Sequence, residues 1–136
     1  MTTIEERFWG KVEFTDTCWL WTASGVREYG CFYVDGGNVY AHRWAYEFCV
    51  GPIPEGLELD HLCRVSRCVN PDDLEIVTHR VNVLRGFGLT AANVRKTHCA
   101  QGHPFDAENT YLRPDDGTRQ CRRCTYIRTW ERRHAV

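Results

Sequence analysis

The first half of the chain contains short apolar runs separated by turn-forming residues, and this pattern predicts a β-hairpin. Residues 19–22 and 29–34 are rich in aromatic and β-branched side chains, as is typical of strands. The Asp-Gly-Gly-Asn stretch at 35–38 tolerates positive φ and precedes another apolar run at 39–41. We therefore expect an antiparallel hairpin in this region.

A helical spacing of apolar residues follows the hairpin. Between residues 42 and 48, Trp44, Ala45 and Phe48 fall on one face of a helix. The Gly-Pro-Ile-Pro segment at 51–54 stops any continuation, because proline cannot extend a helix. The pattern predicts a short helix that ends before this segment.

The middle of the chain predicts the order strand, loop, strand, helix. Residues 57–60 and 74–77 are candidate strands. Thr78 offers a side-chain oxygen that can cap a helix running to about Leu84, with Gly86 as its end.

The composition changes in the last third of the chain. We expect residues 87–94 to form a linker. Beyond them Cys, His and Arg predominate, and a helical stretch is expected at about 122–134. The expected domain boundaries are 1–86, made of 1–56 and 57–86, then the linker at 87–94, and a small segment at 95–136.

Length and composition limit the classes of protein. With 136 residues and 43% hydrophobic content, the chain can bury one core but hardly two large ones. No stretch is apolar enough for a membrane span and the start lacks the pattern of an export signal, so we expect a cytoplasmic protein with no membrane partner. Because cytosolic thiols stay reduced, the eight cysteines favour metal binding over disulfides.

The net charge of −1 is unevenly distributed. Residues 1–60 carry four Lys or Arg against ten acids, whereas residues 61–136 carry thirteen against eight. Phosphate binding needs a locally positive face and not a basic protein as a whole. We therefore expect residues 61–136 to contact nucleic acid.

Asp60 and His61 are the candidate reaction centre. A carboxylate beside an imidazole supplies one ligand for a hard divalent cation and one general base for water. An amide oxygen on the following predicted helix, at Asn82, can complete such a metal site. The pattern predicts metal-dependent cleavage of phosphodiester bonds.

Five stretches lie at or around this pair: His42-Arg43 and residues 51–56, 60–64, 68–71 and 77–82. The segment that holds them, about 41–86, resembles HNH endonucleases of the ββα-metal group, especially the small enzymes common in phage genomes. The Trp-Leu-Trp-Thr opening at 19–22 and the cysteine-rich tail also look like that group. The resemblance implies a DNA substrate, met in the bacterial cytoplasm if the chain is phage-encoded.

Carried over by position, the resemblance implies that His61 is the general base and Asp60 the first metal ligand. Asn82 then matches the last residue of the family's motif, which lies on the helix. His61 would take a proton from the water that attacks phosphorus. One Mg²⁺ or Mn²⁺ on Asp60 and Asn82 would neutralise a phosphate oxygen and the leaving oxygen. The implied products carry 5′-phosphate and 3′-hydroxyl ends.

Three further residues have supporting roles by the same resemblance. Asp73 falls at the middle family position, where Asn or His is usual, and would pin the loop and orient the base. Asn70 could help by hydrogen-bonding loop backbone groups. His79, on the first turn of the predicted helix, is a rival for metal contact.

Two short pairs near the C-terminus, Cys99-x3-His103 and Cys121-x2-Cys124, supply three thiols and an imidazole. Tetrahedral Zn²⁺ takes this ligand set, and so short and polar a segment needs metal ligation to fold. Buried cysteines without a ligand are the alternative. Alternative nitrogen ligands are His98 and His134.

A weaker pair, Cys63-x4-Cys68, lies in the loop of the proposed catalytic centre. A second zinc on this pair needs two more ligands, and simple core thiols are the alternative. Spacing does not decide which residues complete it among Cys18, Cys31, Cys49 and His42.

Arginines are the expected DNA contacts, because they surround the proposed reaction centre and crowd the last helix. A solvated helix face is the alternative there. The tryptophans at 9, 19, 21 and 44 fit a core better than stacking platforms. The proposed contact residues are Arg64, Arg67, Arg80, Arg85, Arg122, Arg123, Arg128 and Arg132.

The sequence therefore predicts an α+β protein in which a small antiparallel hairpin and helix lead into a ββα-metal centre, followed by a zinc knuckle or ribbon and a terminal helix. It would be a DNA endonuclease that uses Mg²⁺ or Mn²⁺ for chemistry and Zn²⁺ for structure, and a homodimer if it cuts both strands. The alternatives are a zinc-containing DNA-binding protein with a degenerate site, and a zinc-dependent adaptor for a protein partner. Homing, restriction and phage packaging stay open as settings.

Overall fold

The computed structural model describes residues 1–135 and has a mixed α+β fold with small antiparallel sheets. The chain divides into two compact units, Met1–Arg85 and a second that begins at Gly86. The helices of the first unit are α1 (Ile4–Trp9), α2 (Ala41–Cys49) and α3 (His79–Arg85). Its strands are β1 (Val12–Phe14), β2 (Trp19–Trp21), β3 (Gly25–Val26), β4 (Tyr29–Val34), β5 (Gly37–Tyr40), β6 (Leu57–His61) and β7 (Leu74–Thr78). The second unit contains α4 (Leu89–Arg95), β8 (Thr110–Leu112), β9 (Arg119–Cys121) and α5 (Arg122–His134).

The predicted hairpin is formed by β4 and β5. Its two-residue turn places Asp35 at φ 51° and Gly36 at φ 80°, between the paired residues Val34 and Gly37. Two successive positive φ values match the right-handed twist of the strands, which explains the Asp-Gly turn. The preceding apolar run, β2, pairs instead with β1.

An aromatic core holds the first unit together. Phe8, Trp21 and Phe32 are fully buried, and the small residues Ala41 and Ala45 let α2 approach them closely. Further tryptophans are partly buried and pack against this cluster, as expected for core residues. They are Trp9, Trp19 and Trp44.

The predicted order of strand, loop, strand and helix is present in the second half of this unit. β6 pairs with β7 in antiparallel register, and α3 follows directly. Thr78 Oγ1 accepts a hydrogen bond from the Val81 amide at 3.3 Å, as expected for a helix cap. A short 3-10 helix at Pro71–Asp73 leads into β7.

The second unit differs from the sequence-based expectation in one respect. The expected linker is helical, because α4 begins after Gly88 and carries residues of ordinary helix propensity. The guanidinium of Arg119 donates to carbonyls of Val94 and Lys96, which ties β9 to the end of this helix. Between residues 1 and 135, no helix combines the length and apolar character needed to cross a membrane.

Candidate functional site

Asp60 lies near the end of β6 and is almost fully buried, with 3% of its surface exposed. Arg64 Nη1 is 2.7 Å from Oδ1, and Arg85 Nη1 is 3.3 Å from Oδ2. Arg85 is the last residue of α3 and also pairs with Glu75. Two guanidinium groups therefore balance the charge of the buried carboxylate, one from the loop after β6 and one from α3.

His61 is the last residue of β6, and 7% of its surface is exposed. Its Nε2 lies 3.1 Å from the carbonyl oxygen of Cys68. Because a carbonyl can only accept, Nε2 carries the hydrogen, and the neutral ring has its lone pair on Nδ1. Burial is the main cause that lowers the pKa of His61 below its ordinary value. The ring is therefore neutral near pH 7 and can accept a proton.

Asn82 is partly buried on α3 and is held by a strand residue that the sequence reasoning missed. Its Nδ2 donates to Glu58 Oε2 at 2.7 Å, and His79 Nδ1 lies 2.8 Å from Glu58 Oε1. The hydrogen bonds from Asn82 and His79 lower the pKa of Glu58. Because the carboxylate takes the amide nitrogen, Asn82 offers its oxygen to a ligand.

The strand and helix periods explain this arrangement. Glu58 and Asp60 are two residues apart on β6 and share one face, while Asn82 and Arg85 are three apart on α3 and share another. Asn82 contacts Glu58, and Arg85 contacts Asp60. Asp60 and Asn82 thus lie at the same strand–helix interface. Their carboxylate and amide oxygens are donors that suit Mg²⁺ or Mn²⁺.

The ring of His61 also packs beside a second imidazole. The ring centroids of His42 and His61 are 4.8 Å apart, and those of Tyr29 and His61 are 6.0 Å apart. His42 is buried, and within residues 1–135 its Nδ1 has no hydrogen-bond partner. Burial first, then the charges of His61 and Arg43, lower the pKa of His42 to about 3.

The C-terminal metal candidates converge as the spacing predicts. Ligand atoms of Cys99, His103, Cys121 and Cys124 all lie within 4.8 Å of one another. His103 Nδ1 is 3.5 Å from Cys99 Sγ and 3.2 Å from Cys124 Sγ, and the latter two sulfurs are 3.6 Å apart. A zinc tetrahedron has edges of about 3.8 Å between sulfurs and about 3.6 Å between sulfur and nitrogen. The cluster therefore fits zinc.

Local structure sets the position of each of these ligands. Cys99 and His103 flank a tight turn in which the Cys99 amide donates to the His103 carbonyl at 2.9 Å. Cys121 caps α5, and its sulfur accepts from the Cys124 amide. Burial raises the pKa of Cys121, but hydrogen bonds, from the Cys124 amide and from Asn109 among others, outweigh it and lower the pKa to about 6. His98 and His134 lie outside the cluster.

A second cluster forms in the first unit around the Cys63 and Cys68 pair. Ligand atoms of Cys18, Cys63, Cys68 and Asp73 all lie within 4.8 Å of one another. Of the four residues considered for completing this pair, the structure brings in Cys18 alone. Cys31, Cys49 and His42 are not part of this group.

Loop residues beside this cluster hold backbone groups. Asn70 Oδ1 accepts from the Asp72 amide at 3.1 Å and so caps the short 3-10 helix. Arg67 donates to the carbonyls of Trp21 and Ala23, at 3.3 and 2.9 Å, which fastens the loop to β2. The remaining proposed DNA contacts away from Asp60 are exposed. They are Arg80, Arg122, Arg123, Arg128 and Arg132.

Comparison with known proteins places this site in a family. Residues 39–84 match the HNH endonuclease family. The chain is 39% identical over 44 residues to the uncharacterized gene 5.3 protein of Enterobacteria phage T3, covering 32% of this chain and 44% of that protein. It is 35% identical over 68 residues to protein 7.7 of Escherichia phage T7, covering 49% and 52% respectively. The chain thus spans about half the length of these curated relatives, and no solved structure matches it. Residues 39–84, which contain Asp60, His61 and Asn82, form a domain of the HNH endonuclease family.

Proposed function

We propose that this protein is a DNA endonuclease that hydrolyses phosphodiester bonds with one divalent cation and His61 as the general base. The observation that carries the proposal is the hydrogen bond from His61 Nε2 to the Cys68 carbonyl, at 3.1 Å. This bond leaves Nδ1 as the basic nitrogen, next in sequence to a buried carboxylate and within an HNH domain.

The environment of His61 suits a residue that gains and loses a proton. Burial lowers the pKa of the ring and so keeps it neutral in the resting enzyme. The hydrogen bond to the Cys68 carbonyl and the charges of Asp60 and Asp73 act against burial and raise the pKa. Once Nδ1 has taken a proton from the attacking water, these groups stabilise the imidazolium. His61 then returns the proton to solvent.

Asp60 and Asn82 are the proposed ligands of the divalent cation. The Asp60 carboxylate and the Asn82 amide oxygen fit Mg²⁺ or Mn²⁺, whose charge would stabilise a phosphate oxygen and the leaving 3′ oxygen. His79 is the secondary candidate, because its Nδ1 is already held by Glu58. The products would carry 5′-phosphate and 3′-hydroxyl ends.

Each unit supplies proposed DNA contacts of its own. Arg64 and Arg85 are half-exposed beside Asp60, where they can reach a phosphate bound to the same cation. The exposed arginines of α5 add positive charge held in place by the C-terminal zinc cluster. A homodimer would follow if the enzyme cuts both strands, since one centre cuts one strand.

One observation favours the alternative of a zinc-containing DNA-binding protein that does not cleave. Both carboxylate oxygens of Asp60 are engaged by arginines, so a cation must displace or share these contacts. If the two ion pairs outcompete the cation, the site binds DNA without hydrolysing it. Cleavage assays decide between these two functions.

The decisive experiment incubates supercoiled plasmid with the full chain and Mg²⁺ or Mn²⁺, and scores nicked and linear forms. His61→Ala should lower the rate by about 10²- to 10⁴-fold, the usual contribution of a general base. His98→Ala is the matched control, because His98 is exposed and outside both clusters. If the wild type leaves plasmid intact, the nuclease proposal fails and filter binding tests the alternative. Equal cutting by His61→Ala would mean that the base is another residue.

A further inference from the structure

We infer that a cleft in the second unit, formed by the β8–β9 hairpin and α5, binds an unpaired nucleobase of single-stranded DNA. The inference goes beyond the proposed cleavage reaction, because the residues of this cleft do not include Asp60, His61 or Asn82. The choice of DNA over RNA rests on the proposed nuclease function.

The size and lining of the cleft suit a small polar ligand. Among the residues that the structure describes, six line the cleft, which has a volume of about 400 Å³. Pockets for small molecules typically have volumes of about 300 to 1,000 Å³, so there is room for one planar base. Each of the six side chains carries a polar group, which favours a base over a hydrocarbon ligand. The lining residues are Tyr111, Gln120, Arg122, Thr125, Tyr126 and Thr129.

Strand alternation explains the wall that the hairpin supplies. Tyr111 and Gln120 are paired in antiparallel register across β8 and β9, so their side chains share one face of the hairpin. Cys121 directly follows Gln120 and therefore lies on the other face, where it joins the C-terminal metal cluster. The face with Tyr111 and Gln120 is thus turned away from the metal ligands.

The helical period explains the second wall. Arg122, Tyr126 and Thr129 are four and three residues apart, so they share one face of α5. Cys124 follows Arg122 by two residues, which is about 200° around the helix, and it belongs to the metal cluster. The metal ligands therefore connect the hairpin and the helix on the side away from the cleft.

The cleft contains the kinds of group that bind a base. Tyr126 is 70% exposed and offers its ring, and proteins that bind single strands stack bases on such rings. The Arg122 guanidinium lies 5.8 Å from the centroid of the Tyr111 ring, and its Nε donates to the Thr110 carbonyl at 3.4 Å. These contacts position the guanidinium at the cleft. There it and the Gln120 amide would donate to acceptors on the edge of the base.

The charge of α5 favours a nucleic acid as the occupant. Between residues 122 and 134 the helix has five arginines and a single acid, Glu131. Such a helix attracts the phosphates of a strand while one base enters the cleft beside it. In a duplex the faces of the bases are covered by their neighbours, so Tyr126 can stack only on an unpaired base. The cleft should therefore prefer single strands.

Fluorescence anisotropy with the full, zinc-loaded chain tests the stacking contact, in buffer without Mg²⁺ or Mn²⁺ so that no strand is cut. The probes are a labelled oligothymidine and a strand of the same length whose nucleotides all lack a base. Tyr126→Ala should weaken oligothymidine binding by about 5- to 150-fold, the usual effect of removing a stacking ring. It should not change binding of the abasic strand. An effect on both strands alike, or on neither, would overturn the inference.

Three control variants separate stacking from charge and from folding. Tyr33→Ala removes an exposed tyrosine of the first unit and should bind both strands as the wild type does. Arg128→Ala removes a charge of α5 outside the cleft, so it should weaken both strands alike and reduce the salt dependence. Tyr126→Phe keeps the ring and should keep oligothymidine binding. A loss in Tyr126→Phe as large as in Tyr126→Ala, with zinc content unchanged, would contradict stacking.

The plasmid assay gives an independent result. If the plasmid stays intact while Tyr126→Ala weakens oligothymidine binding alone, the nuclease proposal fails and the cleft inference stands. If the plasmid is cut while Tyr126→Ala binds both strands as the wild type does, the cleft inference alone fails. Tighter binding of oligouridine than of oligothymidine, lost in Tyr126→Ala, would assign the cleft to RNA and overturn the choice of DNA.

Discussion

The buried imidazole of His42 should make the stability of the first unit fall in mild acid. The pKa of His42 is lowered from 6.5 to about 3 in the folded chain. Between these values the unfolded chain binds a proton at His42 and the folded chain does not. The contribution of His42 to stability is therefore fully present above pH 6.5 and is lost as the pH falls towards 3.

The expected magnitude follows from the linkage relation. Each pH unit of unequal proton binding changes the free energy of unfolding by about 1.4 kcal/mol, so going from pH 6.5 to pH 5 costs about 2 kcal/mol. The full interval to pH 3 would cost about 4 to 5 kcal/mol. His42→Phe removes this titration and keeps an aromatic ring against Tyr29 and Tyr40.

Urea unfolding at pH 7 and pH 5, followed by tryptophan fluorescence, measures the effect. The wild type should lose about 2 kcal/mol more than His42→Phe over this interval. Tyr40→Phe is the control, because it changes a ring that packs against His42 but keeps the imidazole. Its stability should depend on pH as in the wild type. Titration of His61 and of the cysteine clusters is common to all three proteins. Equal pH dependence in the wild type and His42→Phe would refute the reasoning.

Two further predictions concern packing and metal affinity. Gly30→Ala should destabilise the first unit by about 1 to 3 kcal/mol, because the new Cβ would lie 2.3 Å from Trp21 Cδ1. Gly37→Ala meets no atom within 4 Å, so similar urea midpoints for the two variants would contradict this. Glu58→Ala should raise the Mg²⁺ or Mn²⁺ concentration needed for half-maximal nicking, since the Asn82 amide could then rotate, and Glu58→Gln should be milder. An unchanged cation requirement in Glu58→Ala would remove Glu58 from this positioning role.

Local signals explain which parts of the fold the sequence predicts. The Asp35-Gly36 turn and the Thr78 cap act within a few residues, so the sequence alone predicts the hairpin and α3. α4 lies in the segment expected to be a linker, although its residues have ordinary helix propensity. Glycine marks a boundary, but it does not tell what the next segment becomes.

The candidate sites, too, are predictable only where the residues that meet are close in sequence. The C-terminal cluster is readable because each pair of ligands is close in sequence, and a single hairpin brings the pairs together. The second cluster cannot be predicted from spacing, since Cys18 reaches Cys63 only through the pairing of the loop with β2. The same limit applies to Glu58, although its position two residues before Asp60 places it on the same strand face.

The acceptor that orients His61 is a peptide carbonyl and not a side chain. Every amino acid at position 68 brings the same carbonyl, so no single missense change can delete the acceptor itself. A substitution in this loop would therefore disturb the imidazole by moving the carbonyl and not by removing it.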